Sequence, residues 1–279
     1  MASRARPLAA RPTRAGVLCL LATVAGALGA QEPPPVRTYA AFRATSIPML
    51  DGRLDDRAWR AAPWSAPFVD IEGARKPSPR LVTRVKLLWD DRYLYVAAEL
   101  EEPDLWATFT TRDTVIYLEN DFEVFIDPDG DRLRYVELEV NALGTVWDLF
   151  LPRPYRDGGS AVSGYDVVGL QVAVGLDGTL NDPSDRDRGW TVEMALPWTA
   201  LADSGRTAVP PADGTQWRIN FSRVQWDRDT VAGRYRKRIE PGTGKPFPEH
   251  NWVWSPQGVV DMHRPERWGI VTFRGKAAP

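Results

Sequence analysis

The stretch that decides the fold is residues 82–100, which read VTRVKLLWDDRYLYVAAEL. Apolar residues alternate in part with polar ones over Val82–Trp89, and a second apolar run covers Tyr93–Leu100. The polar triplet Asp90-Asp91-Arg92 separates the two runs, as is typical of two antiparallel strands joined by a short turn. Residues 82–100 therefore predict a β-hairpin.

Similar strand signals recur along the rest of the chain. Phe122–Asp127 and Leu133–Asn141 flank the turn residues Pro128-Asp129-Gly130 and predict a second hairpin. The clearest helix is short, over Leu54–Arg60, and stops near Pro63. Further strands are predicted at 145–151, 168–174, 190–196, 215–226 and 268–273. Together these elements predict an all-β fold, a two-sheet antiparallel β-sandwich of immunoglobulin-like or jelly-roll-like type with a short N-terminal helix.

Residues 1–30 have the order of a secretory signal peptide. Basic residues up to Arg14 precede an apolar run over Gly16–Ala30 that ends in small residues. The run of about 15 residues is shorter than the roughly 20 that span a bilayer. We therefore predict cleavage after Ala30, a Pro-rich linker at 31–36, a single domain at 37–273 and a tail at 274–279. The mature chain is expected to be periplasmic or extracellular, without a transmembrane span.

Composition narrows the classes of partner. The formal net charge is −2, and removal of the predicted signal peptide makes the chain more acidic, which gives no electrostatic basis for binding nucleic acid. Cys19 is the only cysteine and lies in the signal segment, so the mature chain is expected to lack disulfides. Twelve Trp residues are a high count, from which we expect some to build a core and others to form a flat binding surface.

Five segments in order resemble the family 9 carbohydrate-binding modules. Each combines the apolar, acidic and aromatic residues at the positions that this family shows. The segments are Leu50–Asp55 before Trp59, Leu87–Val96, Asn120–Asp127, Gly189–Trp198 and Arg267–Phe273.

The resemblance implies a binding site at one rim of the sandwich, where two aromatic rings enclose a sugar and polar groups hold its hydroxyls. Tyr117 stands where one ring is expected, and Glu123 matches a polar sugar contact. The second ring is expected near Met262-His263, and Glu139 replaces an expected basic contact. The resemblance also implies calcium ions that brace loops, and attachment to glycoside hydrolases as partners in polysaccharide capture or catabolism.

We therefore predict non-covalent carbohydrate binding at a rim in which a segment around Tyr117 faces a segment around Trp252. The predicted ligand-binding residues share an aromatic ring, an amide, a carboxylate or an imidazole that can contact a sugar. They are Tyr117, Glu119, Asn120, Glu123, Glu139, Asn251, Trp252, Trp254 and His263.

A candidate metal site lies in the turn after the third predicted strand. Asp127, Asp129 and Asp131 place hard oxygen ligands close together, which suits structural calcium, although the spacing is not that of an EF-hand loop. With two His and no mature Cys, a zinc site is not expected. The acidic turn is also explained by ordinary turn chemistry.

Two alternatives to simple sugar binding remain open. Glu123, Glu137 and Glu139 alternate with apolar residues on neighbouring strands, and paired carboxylates are what glycoside hydrolases use. Related sandwiches bind haem, for which the candidate axial ligands are His250, His263, Met194 and Met262. The sequence shows neither a Gly-rich phosphate loop nor a Gly-x-Ser-x-Gly motif, and neither His lies in a nucleophile–base motif, so we favour binding over catalysis.

Overall fold

The computed structural model describes residues 34–162, 164–202 and 204–276. The predicted signal peptide at 1–30 and the first half of the 31–36 linker lie outside these residues. Within them, no helix combines the length and the apolar character that crossing a membrane requires.

The described residues form fourteen strands and only short helices. The helices α1 (Arg57–Ala61) and α2 (Trp198–Leu201) flank strands, and one-turn 3-10 segments join others. The strands are β1 (Thr38–Arg43), β2 (Val69–Asp70), β3 (Thr83–Trp89), β4 (Tyr93–Glu101), β5 (Asp121–Asp127), β6 (Tyr135–Asn141), β7 (Val146–Leu151), β8 (Gln171–Asp177), β9 (Gly189–Pro197), β10 (Gln216–Gln225), β11 (Arg228–Val231), β12 (Arg234–Lys237), β13 (His250–Val253) and β14 (Gly269–Arg274).

Both predicted hairpins are confirmed. β3 and β4 pair antiparallel from Thr83 opposite Leu100 to Trp89 opposite Leu94. β5 and β6 pair antiparallel, with Glu123 opposite Glu139. The later predicted strands also form, as β7, β8, β9, β10 and β14. The strands β1, β2 and β11–β13 were not predicted. β2 and β11–β13 have only two to four residues, and β1, which reads TYAAFR, shows no clear alternation.

Twelve of the strands form a single curled sheet. Its order is β7-β6-β5-β10-β14-β1-β3-β4-β9-β8, with β13 and β2 attached beside β10. The first strand, β1, pairs in parallel with both β14 and β3, whereas the prediction had only antiparallel pairs. The two layers that the prediction assigned to separate sheets are therefore the two halves of one sheet, joined through β1.

The core lies between these halves. Inward side chains of β3, β4 and β9 belong to the same buried cluster as inward side chains of β5, β6 and β10, for example Leu87, Val96 and Val192 with Val124, Leu138 and Phe221. Because side chains alternate along a strand, the residues between them point to the outer faces. The predicted all-β, sheet-dominated fold is confirmed, and its two outer faces become the places where polar chemistry is available.

The outer face of β9 carries a buried carboxylate that holds the segment before α1. Glu193 Oε2 accepts hydrogen bonds from the backbone N–H of Asp51 (3.0 Å) and Gly52 (2.7 Å), and Oε1 accepts one from Trp59 Nε1 (2.6 Å). Asp56 caps α1 by accepting from Trp59 N at 2.9 Å. Two of the segments that carry the family resemblance are thus bonded to each other.

Candidate functional site

A cavity of about 340 Å³ opens on the outer face of the β5–β6–β7 half. We call it the acidic cavity. Its floor is made by β5 and β6, one side by β7 and the segment after it, and the other side by β13 and the segment at 260–263. The residues of it that matter most for chemistry are Tyr117, Glu123, Glu137, Glu139, Trp147, Tyr155, Asn251 and His263.

The floor carries three carboxylates because β5 and β6 alternate. Val124 and Leu138 point into the core, so Glu123, Glu137 and Glu139 point to the cavity. Glu123 lies directly opposite Glu139 in the strand register, and Glu137 lies opposite Phe125. The fold therefore brings together acids that are distant in sequence.

Burial changes the electrostatics of these acids. It raises the pKa of Glu123 to about 7. Burial, followed by the charge of neighbouring acids, also raises the pKa values of Glu137 and Glu139 well above the usual range. Glu123 Oε2 and Glu137 Oε2 are buried without a hydrogen-bond partner among the described residues. Buried polar atoms are normally paired, so these oxygens are available for a ligand.

Aromatic rings form the walls above the floor. Tyr117 and Trp147 stack with ring centroids 6.3 Å apart and an interplanar angle of 27°. Tyr155 contacts His263 edge-on at 4.5 Å. Tyr117 and Tyr155 remain 41% and 45% exposed, so their rings present apolar area to the cavity.

His263 is held as a neutral ring. Its Nδ1 lies 2.9 Å from the Tyr135 hydroxyl, and its Nε2 lies 4.0 Å from Glu137. Burial lowers the pKa of His263 to about 4. At neutral pH the imidazole therefore does not balance the charge of the acids.

The structure brings together five of the predicted ligand-binding residues. These line the acidic cavity and come from both predicted segments: Tyr117, Glu123, Glu139, Asn251 and His263. The predicted set omitted Tyr155, Glu249 and Asp261, which also line it. These three lie outside regular strands or beside a short one, where no periodic pattern indicates which way a side chain points.

Trp252 and Trp254 require a correction, because they do not line the cavity. They are only 3% and 1% exposed and belong to the core. Trp254 packs against Tyr39 and Phe221. The prediction that they share one strand face holds, but that face points inward, and the outward residue is Asn251.

Glu119 and Asn120 also lie outside the cavity lining and hold loops in place. Glu119 accepts hydrogen bonds from the backbone N–H of Thr108 and Phe109. Asn120 accepts from Trp226 N at 2.8 Å and donates to Glu102 at 3.2 Å. Their polar atoms are engaged in holding these loops, and the sugar contact predicted for them stays a prediction.

The acidic turn after β5 brings Asp127, Asp129 and Asp131 together, with one ligand oxygen of each within 4.8 Å of the others. These carboxylates already accept hydrogen bonds from the turn. Asp127 accepts from Gly130 N and Arg132 N, Asp129 from Asp131 N and Arg206 N, and Asp131 from Leu133 N. Calcium at this turn stays a prediction.

The candidate haem ligands occupy different environments. Met194 is part of the core on β9, whereas Met262 and His263 line the acidic cavity. His250 stacks on Trp252 at 5.6 Å. Met262 and His263 are therefore the members of this set that share a cavity.

A larger cavity, of about 670 Å³, lies on the other outer face, along β4, β8 and β9. Of the described residues that line it, Trp190 is the one aromatic, and it is buried. Arg84 and Glu99 in this lining form an ion pair at 2.7 Å. The smaller acidic cavity is the better candidate, because it combines exposed rings with unpaired buried oxygens.

Comparison with known proteins shows which family and which curated proteins this chain is similar to. Residues 50–149 match the family model described as "Carbohydrate family 9 binding domain-like". Two curated proteins are similar at 27% identity: "Endo-1,4-beta-xylanase A" of Thermoanaerobacterium saccharolyticum over 62% of this chain, and "Exoglucanase XynX" of Acetivibrio thermocellus over 55%. The matches span only 13% and 12% of those two proteins.

Solved structures show the same fold. A family 9 carbohydrate-binding module from Caldicellulosiruptor kristjanssonii, in complex with cellotriose, is 18% identical with a TM-score of 0.53, over 86% of this chain and 95% of that one. A glucose complex of a family 9 module from the same organism is 17% identical, also at 0.53, over 86% and 98%. The resemblance of this chain to the family 9 carbohydrate-binding modules is therefore confirmed.

Proposed function

We propose that the chain binds a carbohydrate non-covalently in the acidic cavity. The observation that carries the proposal is the combination of exposed tyrosine rings with buried, unpaired carboxylate oxygens in one cavity. A sugar matches this combination, because each of its rings has apolar C–H faces and a rim of hydroxyls.

The rings supply the apolar contacts. Tyr117, supported by the stacked Trp147, forms one wall, and Tyr155, braced against His263, forms another. Tyrosine offers a large rigid surface with few rotatable bonds, so binding orders little of the protein. His263 occupies the region where the family resemblance implies a second enclosing ring, and Tyr155 extends the aromatic area there.

The polar groups supply the hydroxyl contacts. Glu123 and Asn251 line the cavity, and Glu123 Oε2 lacks a partner. A sugar hydroxyl that donates to this oxygen would satisfy an acceptor that is otherwise buried and unpaired. Selectivity for a particular sugar would follow from which hydroxyls can reach these atoms.

The first ligands to test come from the fold neighbours and relatives. The solved family 9 modules carry cellotriose and glucose, and the two curated relatives are a xylanase and an exoglucanase. We infer that β-linked glucose and xylose oligomers are the best starting set. A role beside glycoside hydrolases in polysaccharide capture is part of the same proposal.

Isothermal titration of residues 31–279 with glucose, cellotriose and xylotriose tests the binding. Tyr117→Ala and Tyr155→Ala are each expected to weaken binding by about 1–3 kcal/mol, from lost apolar burial. Tyr93→Ala is the control, because Tyr93 contacts Tyr95 on the other outer face. Equal affinities in the parent and both cavity variants would contradict the assignment of the site.

Export is a separate proposal that rests on the order of basic, apolar and small residues in 1–30. Mass spectrometry of the native protein is expected to find an N-terminus at or near Gln31, in the periplasm or the medium. An exported protein that keeps Met1 would contradict cleavage.

A glycoside-acting enzyme is the second candidate, and the electrostatics of the floor favour it. Glu123, with a pKa of about 7, can hold a proton near neutrality, as a general acid must. One oxygen of Glu123 and one of Glu139 lie within 4.8 Å of each other, near the roughly 5–5.5 Å separation of retaining glycosidases. Release of reducing ends that stops in Glu123→Gln would establish catalysis, whereas binding without release supports the first proposal.

A further inference from the structure

Three carboxylates converge at one end of the acidic cavity floor. Asp121 and Glu123 are successive outward residues of β5, and Glu139 lies opposite Glu123 on β6. One ligand oxygen of each lies within 4.8 Å of the other two, and all three side chains are buried. We call this group the three-carboxylate cluster.

The cluster is incompletely paired. Asp121 Oδ1 accepts from Val224 N at 3.1 Å, and Glu139 Oε2 accepts from Tyr117 N at 2.9 Å. Asp121 Oδ2 and Glu123 Oε2 have no hydrogen-bond partner in the described part of the chain. Asp121 is 0% exposed and Glu123 is 5% exposed, so both carboxylates are withdrawn from bulk solvent, where an unpaired charge is costly.

The cluster also lacks an ion-pair partner among the described residues, since Arg223, whose charge acts on Asp121, is itself paired with Glu102 at 3.0 Å. No Lys or Arg is among the described residues that line the acidic cavity, and no ion pair within 4.0 Å involves any of the three carboxylates there. The lining adds Glu137, Glu249 and Asp261, which carry the same sign. Buried carboxylates without a counter-charge are costly unless they bind a proton or a cation.

We propose that Asp121, Glu123 and Glu139 hold a divalent cation of the calcium class at the floor of the acidic cavity. Calcium takes carboxylate oxygens at about 2.3–2.6 Å, so oxygens around one ion lie up to about 5 Å apart. The observed separations fit that sphere. The cation would supply the direct counter-charge that no ion pair among the described residues gives these three carboxylates.

Two other acidic sites in the molecule show why the cluster differs. The carboxylates of the turn at 127–131 are met by five backbone N–H donors, and Glu193 is met by three donors. Among the described residues, the three-carboxylate cluster receives two backbone donors for three buried acids. Its remaining buried oxygens, Asp121 Oδ2 and Glu123 Oε2, are the ones that a cation could bind.

The proposed cation site does not depend on sugar binding. A dependence of sugar affinity on the cation, however, rests on the proposed function. Glu123 and Glu139 line the cavity, whereas Asp121 is fully buried and is not part of the lining. An ion on these three residues would keep open coordination positions toward the cavity. Two neighbouring sugar hydroxyls can fill such positions, which would make sugar affinity depend on the metal.

The test uses calcium itself, with terbium as a luminescent surrogate. Trp147 is in register with Glu139 on the adjacent strand, which places an indole close enough to sensitise terbium. Calcium titration, elemental analysis and terbium emission are measured on residues 31–279 and on Glu139→Gln and Asp121→Asn. Asp129→Asn is the matched control, since it alters the separate turn site. Melting curves in chelator establish that each variant is folded.

We expect one calcium that is bound independently of the turn at 127–131, so Asp129→Asn retains it. Both cluster variants should bind it about 100-fold more weakly, because ligand charge sets the affinity. Terbium emission should fall in the same two variants. Glu139→Gln should also melt higher than the parent in chelator, yet gain nothing from calcium.

The contrary results are equally distinct. Retention of calcium and terbium emission by Glu139→Gln and Asp121→Asn would overturn the site, and so would absence of calcium from the parent at millimolar concentration. Binding of an amino sugar by the metal-free parent, with no calcium uptake, would show that an ammonium group fills the cluster instead. If calcium binds as expected but no sugar does, the cation site stands and the proposed function fails.

Discussion

The two outer faces of the sheet bury the same kind of side chain and treat it in opposite ways. On the β3–β4–β9–β8 half, Glu193 is fully buried and accepts hydrogen bonds from two backbone N–H groups and an indole. On the β5–β6–β10 half, Glu123 and Glu137 are buried with an oxygen unpaired. A buried carboxylate that accepts hydrogen bonds from its own chain stabilises the fold. A buried carboxylate that lacks such donors keeps an oxygen free to bind a ligand.

The largest effect on stability should come from removing the hydrogen-bonded carboxylate of Glu193. Glu193→Ala is expected to lower the free energy of unfolding by about 3–5 kcal/mol, because two buried donors and one partly buried donor lose their acceptor. Glu193→Gln should cost less, since its carbonyl oxygen still accepts. Urea denaturation measures both free energies. An alanine variant as stable as the parent would show that the hydrogen bonds to Glu193 do not stabilise the fold.

The next effect concerns the loop that Glu193 holds. Gly52 has φ of +80°, and a Cβ there would lie 2.5 Å from Gly175 N. Gly52→Ala is expected to cost about 2–4 kcal/mol, as strain and a backbone clash add together. Gly214 has φ of +84° with nothing within 4 Å of the same position, so Gly214→Ala isolates the strain alone. Equal losses of melting temperature in the two variants would contradict the close approach.

A smaller effect, on binding alone, should come from the other face. Trp147→Ala removes the ring on which Tyr117 stacks and is expected to weaken sugar affinity about tenfold, or roughly 1.4 kcal/mol. Trp147→Phe should restore most of the loss, because it keeps a stacking surface. Titration with the sugar that binds most tightly measures this affinity. Unaltered affinity in Trp147→Ala would show that the stacking of Trp147 on Tyr117 does not contribute to sugar binding.

The smallest expected effect on stability is that of Glu123→Gln, which tests the contrast between Glu123 and Glu193 directly. Glu123→Gln, in chelator, is expected to change the free energy of unfolding by no more than about 1 kcal/mol, since it removes a buried charge without leaving a donor unpaired. The same glutamine substitution at Glu193 provides the contrast. A loss at Glu123 as large as that of Glu193→Ala would mean that the two faces do not differ as described.

The sequence allows the hairpins to be predicted, because alternation and turn residues are local properties. It also predicts that Trp252 and Trp254 share a face, since residues two apart on a strand do so. Which side of the sheet that face meets depends on how β13 pairs with β10, at a distance in sequence. Because this long-range pairing is not visible in the sequence, Trp252 and Trp254 were predicted at the rim although they lie in the core.

The rim was partly predictable for a different reason. Tyr117, Glu123 and His263 were placed together by family resemblance, and they do line one cavity. Tyr155 was missed because it lies in a 3-10 turn after β7, where neither period nor motif indicates its direction. Asp121 was missed because its partners come from β6 and β10, and only the folded register shows that two of its neighbours are also acids.

The strand β1 has a consequence for how the molecule folds. It joins β14 to β3, and near it Arg37 N lies 3.3 Å from Ser255 Oγ, 218 residues along the chain. Contacts of such long sequence separation form slowly, because a large loop must close first. Until β14 is available, the inner faces of both halves remain uncovered, and a nascent chain in that state exposes apolar strands. We therefore expect folding to be slow and to be completed only after the last strand is synthesised.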